Sequence, residues 1–74
     1  MLENRNKEIS ISVNGEPRAV PAGLTVLALL EAIGVDAERV AVELDCSILR
    51  REKWPSTPVE EGARLEIVQF VGGG

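Results

Sequence analysis

The chain contains no histidine and a single cysteine, Cys46. One thiol cannot close an internal disulfide, and without histidine a metal site would have to be built from carboxylates alone. The same absence leaves no imidazole to act as general acid or base. Basic residues are also scarce: 8 Lys and Arg stand against 12 Asp and Glu, a formal net charge of −4. That balance works against binding a phosphate backbone and favours a partner with a basic docking surface, so nucleic acid is not an expected ligand. No apolar stretch approaches the ~20 residues that span a bilayer, and residues 1–7 carry no apolar signal core. No membrane association is expected, and the expected location is the cytoplasm. With 74 residues the chain makes one domain. Near that size only about 60% of the unfolded surface is buried on folding, which leaves no room for a catalytic cleft of ordinary depth.

What is present falls into clear segments. Ile9, Ile11 and Val13 alternate with Ser10 and Ser12, the pattern of a half-buried strand. Asn14-Gly15 follows at once and tolerates the positive φ angles of a type I′ turn, so the chain is expected to fold back as a hairpin through residues 16–20. Pro17 lacks an amide proton and places this second strand at a sheet edge. Thr25 is the expected N-cap of a helix whose buried face is Val26, Leu29, Leu30 and Ile33, with Leu24 stapling onto Leu29. Gly34 supplies the left-handed position that stops the helix, with Val35 folding back on Leu30. Val40, Val42 and Leu44 alternate with Ala41 and Glu43 as a third strand. Asp45-Cys46-Ser47 turns into a short strand at Ile48-Leu49, residues 51–58 read as a loop holding Trp54 and two prolines, and Glu60-Glu61-Gly62 turns into a last strand over residues 64–70.

Hairpin, helix, two strands and a final strand describe an α+β domain in which one helix crosses one face of a mixed sheet of roughly four to five strands. The first and last strands are expected to be the parallel central pair. This is the ubiquitin-like β-grasp arrangement, although other small sheet-plus-helix pairings fit the same spacing. The expected organisation is a disordered extension over residues 1–7, the β-grasp domain over 8–70 and a flexible tail over 71–74.

The tail is the organising feature. The strongest strand signal of the chain ends in Phe70-Val71-Gly72-Gly73-Gly74 with no polar spacer. Glycine adds no side-chain contact and loses the most backbone entropy on ordering, so such an end is expected to stay mobile until a partner holds it. The four residues after Phe70 reach about 13 Å when extended, enough to thread a narrow channel into another protein's active site. A frayed end would have the same composition.

The segments Val13-Asn14-Gly15, Val40-Ala41-Val42-Glu43-Leu44, residues 51–54, residues 61–68 and Phe70-Val71-Gly72-Gly73-Gly74 resemble the sulfur carrier protein of thiamin biosynthesis, the ThiS family. The last strand with its glycine tail is the most specific part. The resemblance implies a carrier and not an enzyme. It implies that the Gly74 carboxylate is adenylated by an E1-like adenylating enzyme using ATP, and that sulfur from a donor such as a cysteine desulfurase replaces AMP. Sulfur is then carried as a thiocarboxylate on Gly74 and delivered to thiazole synthase, with Gly72 and Gly73 as the thread behind the reacting group and no cofactor bound by the chain. Three other readings share parts of this pattern: a molybdopterin-type sulfur carrier, a ubiquitin-like protein modifier activated at the same glycine, and a plain interaction domain with an idle tail.

Docking needs a surface as well as a tail. With Leu65 and Ile67 facing the helix, Arg64, Glu66, Val68 and Phe70 share the opposite face. Val68 and Phe70, next to Ala41 and leading into Val71, form an expected docking patch, although half-exposed apolar residues are common on any surface. Cys46 reads as a turn thiol, since its sequence neighbours Asp45 and Ser47 include no basic residue to activate it. Trp54 reads as an anchor pinning its loop to the sheet edge. Asp36, Glu38, Glu60 and Glu61 read as a solvated rim.

Overall fold

The computed structural model describes residues 7–70. Five strands, β1 (Glu8–Val13), β2 (Glu16–Pro21), β3 (Val40–Leu44), β4 (Ser47–Leu49) and β5 (Arg64–Gln69), form one sheet in the order β2-β1-β5-β3-β4. The β1–β5 pair is parallel and the remaining three pairs are antiparallel. The last strand of the chain is therefore the middle strand of the sheet. One helix, α1 (Val26–Ala32), covers one face.

Local chemistry explains the hairpins. Asn14 and Gly15 take φ of 52° and 84°, the paired positive angles whose twist matches the strands they join, and Val13 lies opposite Glu16. Pro17 sits in β2 at the outer edge, where its missing N–H interrupts no ladder. Asp45 and Cys46, with φ of 52° and 73°, make the second two-residue hairpin turn, between β3 and β4.

The helix has only 7 residues, too short to persist alone, so its ends and its packing must supply what propensity cannot. Thr25 Oγ1 accepts from the Ala28 N–H at 3.2 Å, and the Val26 N–H donates to Thr57 O at 2.9 Å, so two of the unpaired N-terminal donors are satisfied. At the other end Gly34 has φ 85°, its N–H donates to Glu31 O and the Val35 N–H donates to Leu30 O, the paired bonds of a Schellman stop. Val26, Leu29 and Leu30 are fully buried against Ile9, Ile11, Val20, Val40, Val42 and Leu65. Nothing lies within 4 Å of a Cβ built at Gly34, so its requirement is the backbone angle and not space. Gly34→Val should cost about 1–2 kcal/mol, and a domain of this size should then melt about 4–8 °C lower for each kcal/mol. An unchanged melting temperature would show that the helix does not depend on this stop.

Residues 51–58 depart from the expected loop. A 3-10 helix runs over Arg51–Ser56, with the Lys53 N–H donating to Arg50 O at 2.9 Å and the Thr57 hydroxyl donating to Lys53 O at 2.7 Å. Proline's fixed φ fits this tighter turn, so Pro55 shapes the segment without breaking it. The turn drives Trp54 into the core at 2% exposure, and its Nε1–H donates to Leu49 O on β4 at 3.0 Å. The expected anchoring of this segment to the sheet edge thus takes the form of an indole buried beneath β4. A second, shorter 3-10 turn, Ala37–Arg39, leads into β3 with Asp36 Oδ1 accepting from the Glu38 N–H. The last strand ends at Gln69, one residue short of its expected end.

Candidate functional site

Side chains alternate along β5: Leu65 is buried and Ile67 half-buried on the helix side, while Arg64, Glu66 and Val68 face out. The register carries this alternation across the sheet. Ala41 lies directly opposite Val68, and Glu43 lies opposite both Glu66 on one side and Ile48 on the other. Cross-strand partners share a face, so Ala41 and Val68 form an exposed pair with Ile48 diagonal to Ala41 on the same face, beside Phe70. Ile48 is 77% exposed, Val68 58% and Phe70 53%, and they are the large apolar side chains that the core leaves outside among the described residues. Ala41, Ile48, Arg50 and Phe70 contribute to a shallow, mostly apolar groove at this end of the sheet.

Ile48 was missing from the expected docking set. Its neighbours in sequence give a strand too short to show an alternation. The face it takes follows from the two-residue turn Asp45-Cys46, which fixes Glu43 opposite Ile48. That turn also reaches the middle strand: the Asp45 N–H donates to Arg64 O at 2.8 Å, and Asp45 Oδ1 accepts from the Arg64 N–H at 3.0 Å. Asp45 therefore fastens the start of β5, while Cys46 beside it is exposed.

Phe70 is held at the root of the tail by its N–H, which donates to Arg39 O at 2.8 Å one step beyond the end of β5. Val71, Gly72, Gly73 and Gly74 lie outside the described residues, as does most of the N-terminal extension. The patch is thus built on the central strand that leads straight into the glycines.

Charges around the patch are solvated. Asp36 pairs with Arg39 at 3.6 Å and Glu52 with Arg50 at 3.1 Å, both on the surface. A backbone hydrogen bond first, and Arg50 second, hold the Glu52 carboxyl below the usual carboxylate range. No group of three or more metal-ligating side chains occurs among the described residues, and none of their helices is long and apolar enough to cross a membrane.

A five-stranded mixed sheet with one crossing helix, whose central last strand runs into a glycine tail, defines a ubiquitin-like β-grasp protein. The ThiS family matches residues 6–74, and the chain belongs to that family, the sulfur carriers of thiamin biosynthesis. Its backbone superposes on the crystal structure of the thiamine biosynthesis protein ThiS from Geobacter metallireducens with a TM-score of 0.76 and 39% identity, covering 89% of this chain and 100% of that one. It is 36% identical to the sulfur carrier protein ThiS of Thermus thermophilus, over 84% of this chain and 95% of the relative. It is also 42% identical over 66 residues to a thiazole synthase of Paramagnetospirillum magneticum, 89% of this chain but 20% of that protein's length.

Proposed function

We propose that this chain carries sulfur as a thiocarboxylate on Gly74 and acts as a co-substrate of partner enzymes. The observation that carries the reading is that the family match runs through the final glycines to residue 74. A carboxylate is a poor acyl electrophile, so a Gly74 oxygen first attacks the α-phosphorus of ATP on an E1-like adenylating enzyme, and pyrophosphate leaves. The terminal sulfur of a persulfide, supplied by a donor such as a cysteine desulfurase, then attacks the acyl carbon and expels AMP. A thiol cleaves the resulting acyl disulfide, being oxidised to a disulfide as the thiocarboxylate is released. This chain's residues supply presentation: a dock formed by Ala41, Ile48, Val68, Phe70 and Val71, and a thread without side chains at Gly72 and Gly73.

Thiazole synthase is the proposed acceptor. Its support is that a stretch similar to this chain makes up 20% of proteins named thiazole synthase in two organisms, so carrier and acceptor sequences occur in one polypeptide. The test is intact-mass spectrometry of the full chain incubated with the adenylating enzyme, ATP and the sulfur donor. The expected result is a species heavier by the difference between one sulfur and one oxygen atom, localised to Gly74. Isopeptide-linked conjugates would indicate a protein modifier instead, and an unchanged mass would leave the tail idle.

A further inference from the structure

The middle strand is not paired equally on its two sides. Towards β3 its ladder runs as far as Val40 opposite Gln69, and the Phe70 N–H extends it to Arg39. Towards β1 it ends early, with Ser12 opposite Arg64 and Val13 opposite Leu65, because the chain turns away at Asn14. The backbone groups of Ala63, Leu65 and Ile67 point to this side: Ala63 O and Leu65 O accept from the Ser12 and Asn14 N–H groups at 2.9 and 2.8 Å. Past Leu65 no strand among the described residues takes up the next pair. The Asn14 side chain takes its place. Its Oδ1 accepts from the Ile67 N–H at 2.7 Å and its Nδ2 donates to Ile67 O at 3.3 Å.

A carboxamide carries an N–H donor and an oxygen acceptor on one edge, so Asn14 bonds both the N–H and the O of Ile67 and adds one rung to a ladder its own backbone has left. Asn14 therefore does two jobs, on opposite sides of β1: its backbone makes the β1–β2 turn and its side chain clamps β5. Glycine could do the first job alone.

We propose that Asn14 is a positioning residue for sulfur loading: its side chain clamps Ile67 and so fixes the direction in which β5 delivers the tail. The inference rests on the carrier reading above. From Ile67 to Phe70 is three residues, about 10 Å of extended strand, so a swing of only ~6° at Ile67 shifts the root of the tail by about 1 Å. A displacement of that size is enough to cost up to 10²-fold where reacting atoms must meet in line. Of the dock residues, Ala41 and Ile48 lie on β3 and β4, while Val68 and Phe70 follow Ile67 in the chain but are held on the side of β5 away from Asn14, Val68 opposite Ala41 and Phe70 by its N–H to Arg39 O. Loss of the clamp should consequently lower kcat and leave KM alone.

The experiment compares the full-length chain with Asn14→Gly, which keeps the positive φ and removes the carboxamide, and with Asn14→Asp, which keeps the acceptor and lacks the donor. Amide hydrogen exchange at Ile67 should speed up in Asn14→Gly by about tenfold, as expected for losing a two-bond contact. In steady-state AMP formation kcat should fall about fivefold to tenfold at unchanged KM, with Asn14→Asp between the two. Faster exchange at Ile67 with unchanged kcat would overturn the proposal, as would unaltered exchange or a change confined to KM. If Asn14→Gly does not fold, Asn14→Asp carries the same criteria. A wild-type chain that is never adenylated overturns the carrier reading first, and that result is read before any variant is made.

Discussion

A chain extended by one uncleaved residue after Gly74 should form no AMP above background with ATP, the adenylating enzyme and the sulfur donor, while melting at the same temperature as the wild type. The added residue moves the terminal carboxylate by about 3.5 Å. Attack on the α-phosphorus requires reacting atoms ~3–3.5 Å apart and aligned, and a misplacement of 1 Å alone can cost about 10²-fold, so the expected loss is larger than that. Deletion of Gly74 should fail equally, because the dock fixes where the thread begins and the missing residue leaves the carboxylate short. Gly73→Val should fail for a different reason: a β-branched side chain stiffens the backbone and cannot pass a channel shaped for glycine. The core consists of residues 9–65, so none of these changes should reduce thermal stability. Full activity of the extended chain would remove the Gly74 carboxylate from the mechanism and would sink the sulfur-carrier and modifier readings together.

The parts of this fold that were legible in the sequence are those whose hydrogen bonds close within a few residues. Asn14-Gly15 states its turn type, and Thr25 and Gly34 state both ends of α1, because the donors and acceptors involved lie three to five residues apart. The parallel pairing of β1 with β5 followed from chain order, since a strand placed beside β1 after a crossing helix runs in its direction. The 3-10 helix at Arg51–Ser56 was not legible, because two prolines read as punctuation until the burial of Trp54 selects the conformation they allow. The missed members of the site have the same cause. Ile48 takes its face from a register set by the turn before it, and Asp45 and Asn14 act on Arg64 and Ile67, 19 and 53 residues away. Short polar side chains that both make a turn and bond across the sheet show only the first role in their immediate sequence.

The dock can be separated from the tail by putting a charge on the patch. Phe70→Asp, Val68→Asp and Ile48→Asp alter side chains that are at least half exposed, so each should change stability by no more than about 0.5 kcal/mol. In the complex the same carboxylate would be desolvated against apolar contacts, at a cost of about 2 kcal/mol or more for a central residue. That corresponds to a KM for the carrier raised about thirtyfold, with kcat recovered at saturation because the tail and its root are intact. Added negative charge alone cannot mimic this pattern if Ala19→Asp is the control. Ala19 is exposed on β2, at the opposite edge of the sheet from β4, and lies opposite Ser10 on the same outer face. Ala19→Asp should leave KM within about twofold, since a single exposed charge beyond the ~8–10 Å screening length adds little to a local contact. The patch and the clamp at Asn14 thereby give opposite signatures, one in KM and the other in kcat. A folded Phe70→Asp chain adenylated with an unchanged concentration dependence would move the dock off this face. In that case the exposure of Phe70, Val68 and Ile48 would need another partner to account for it.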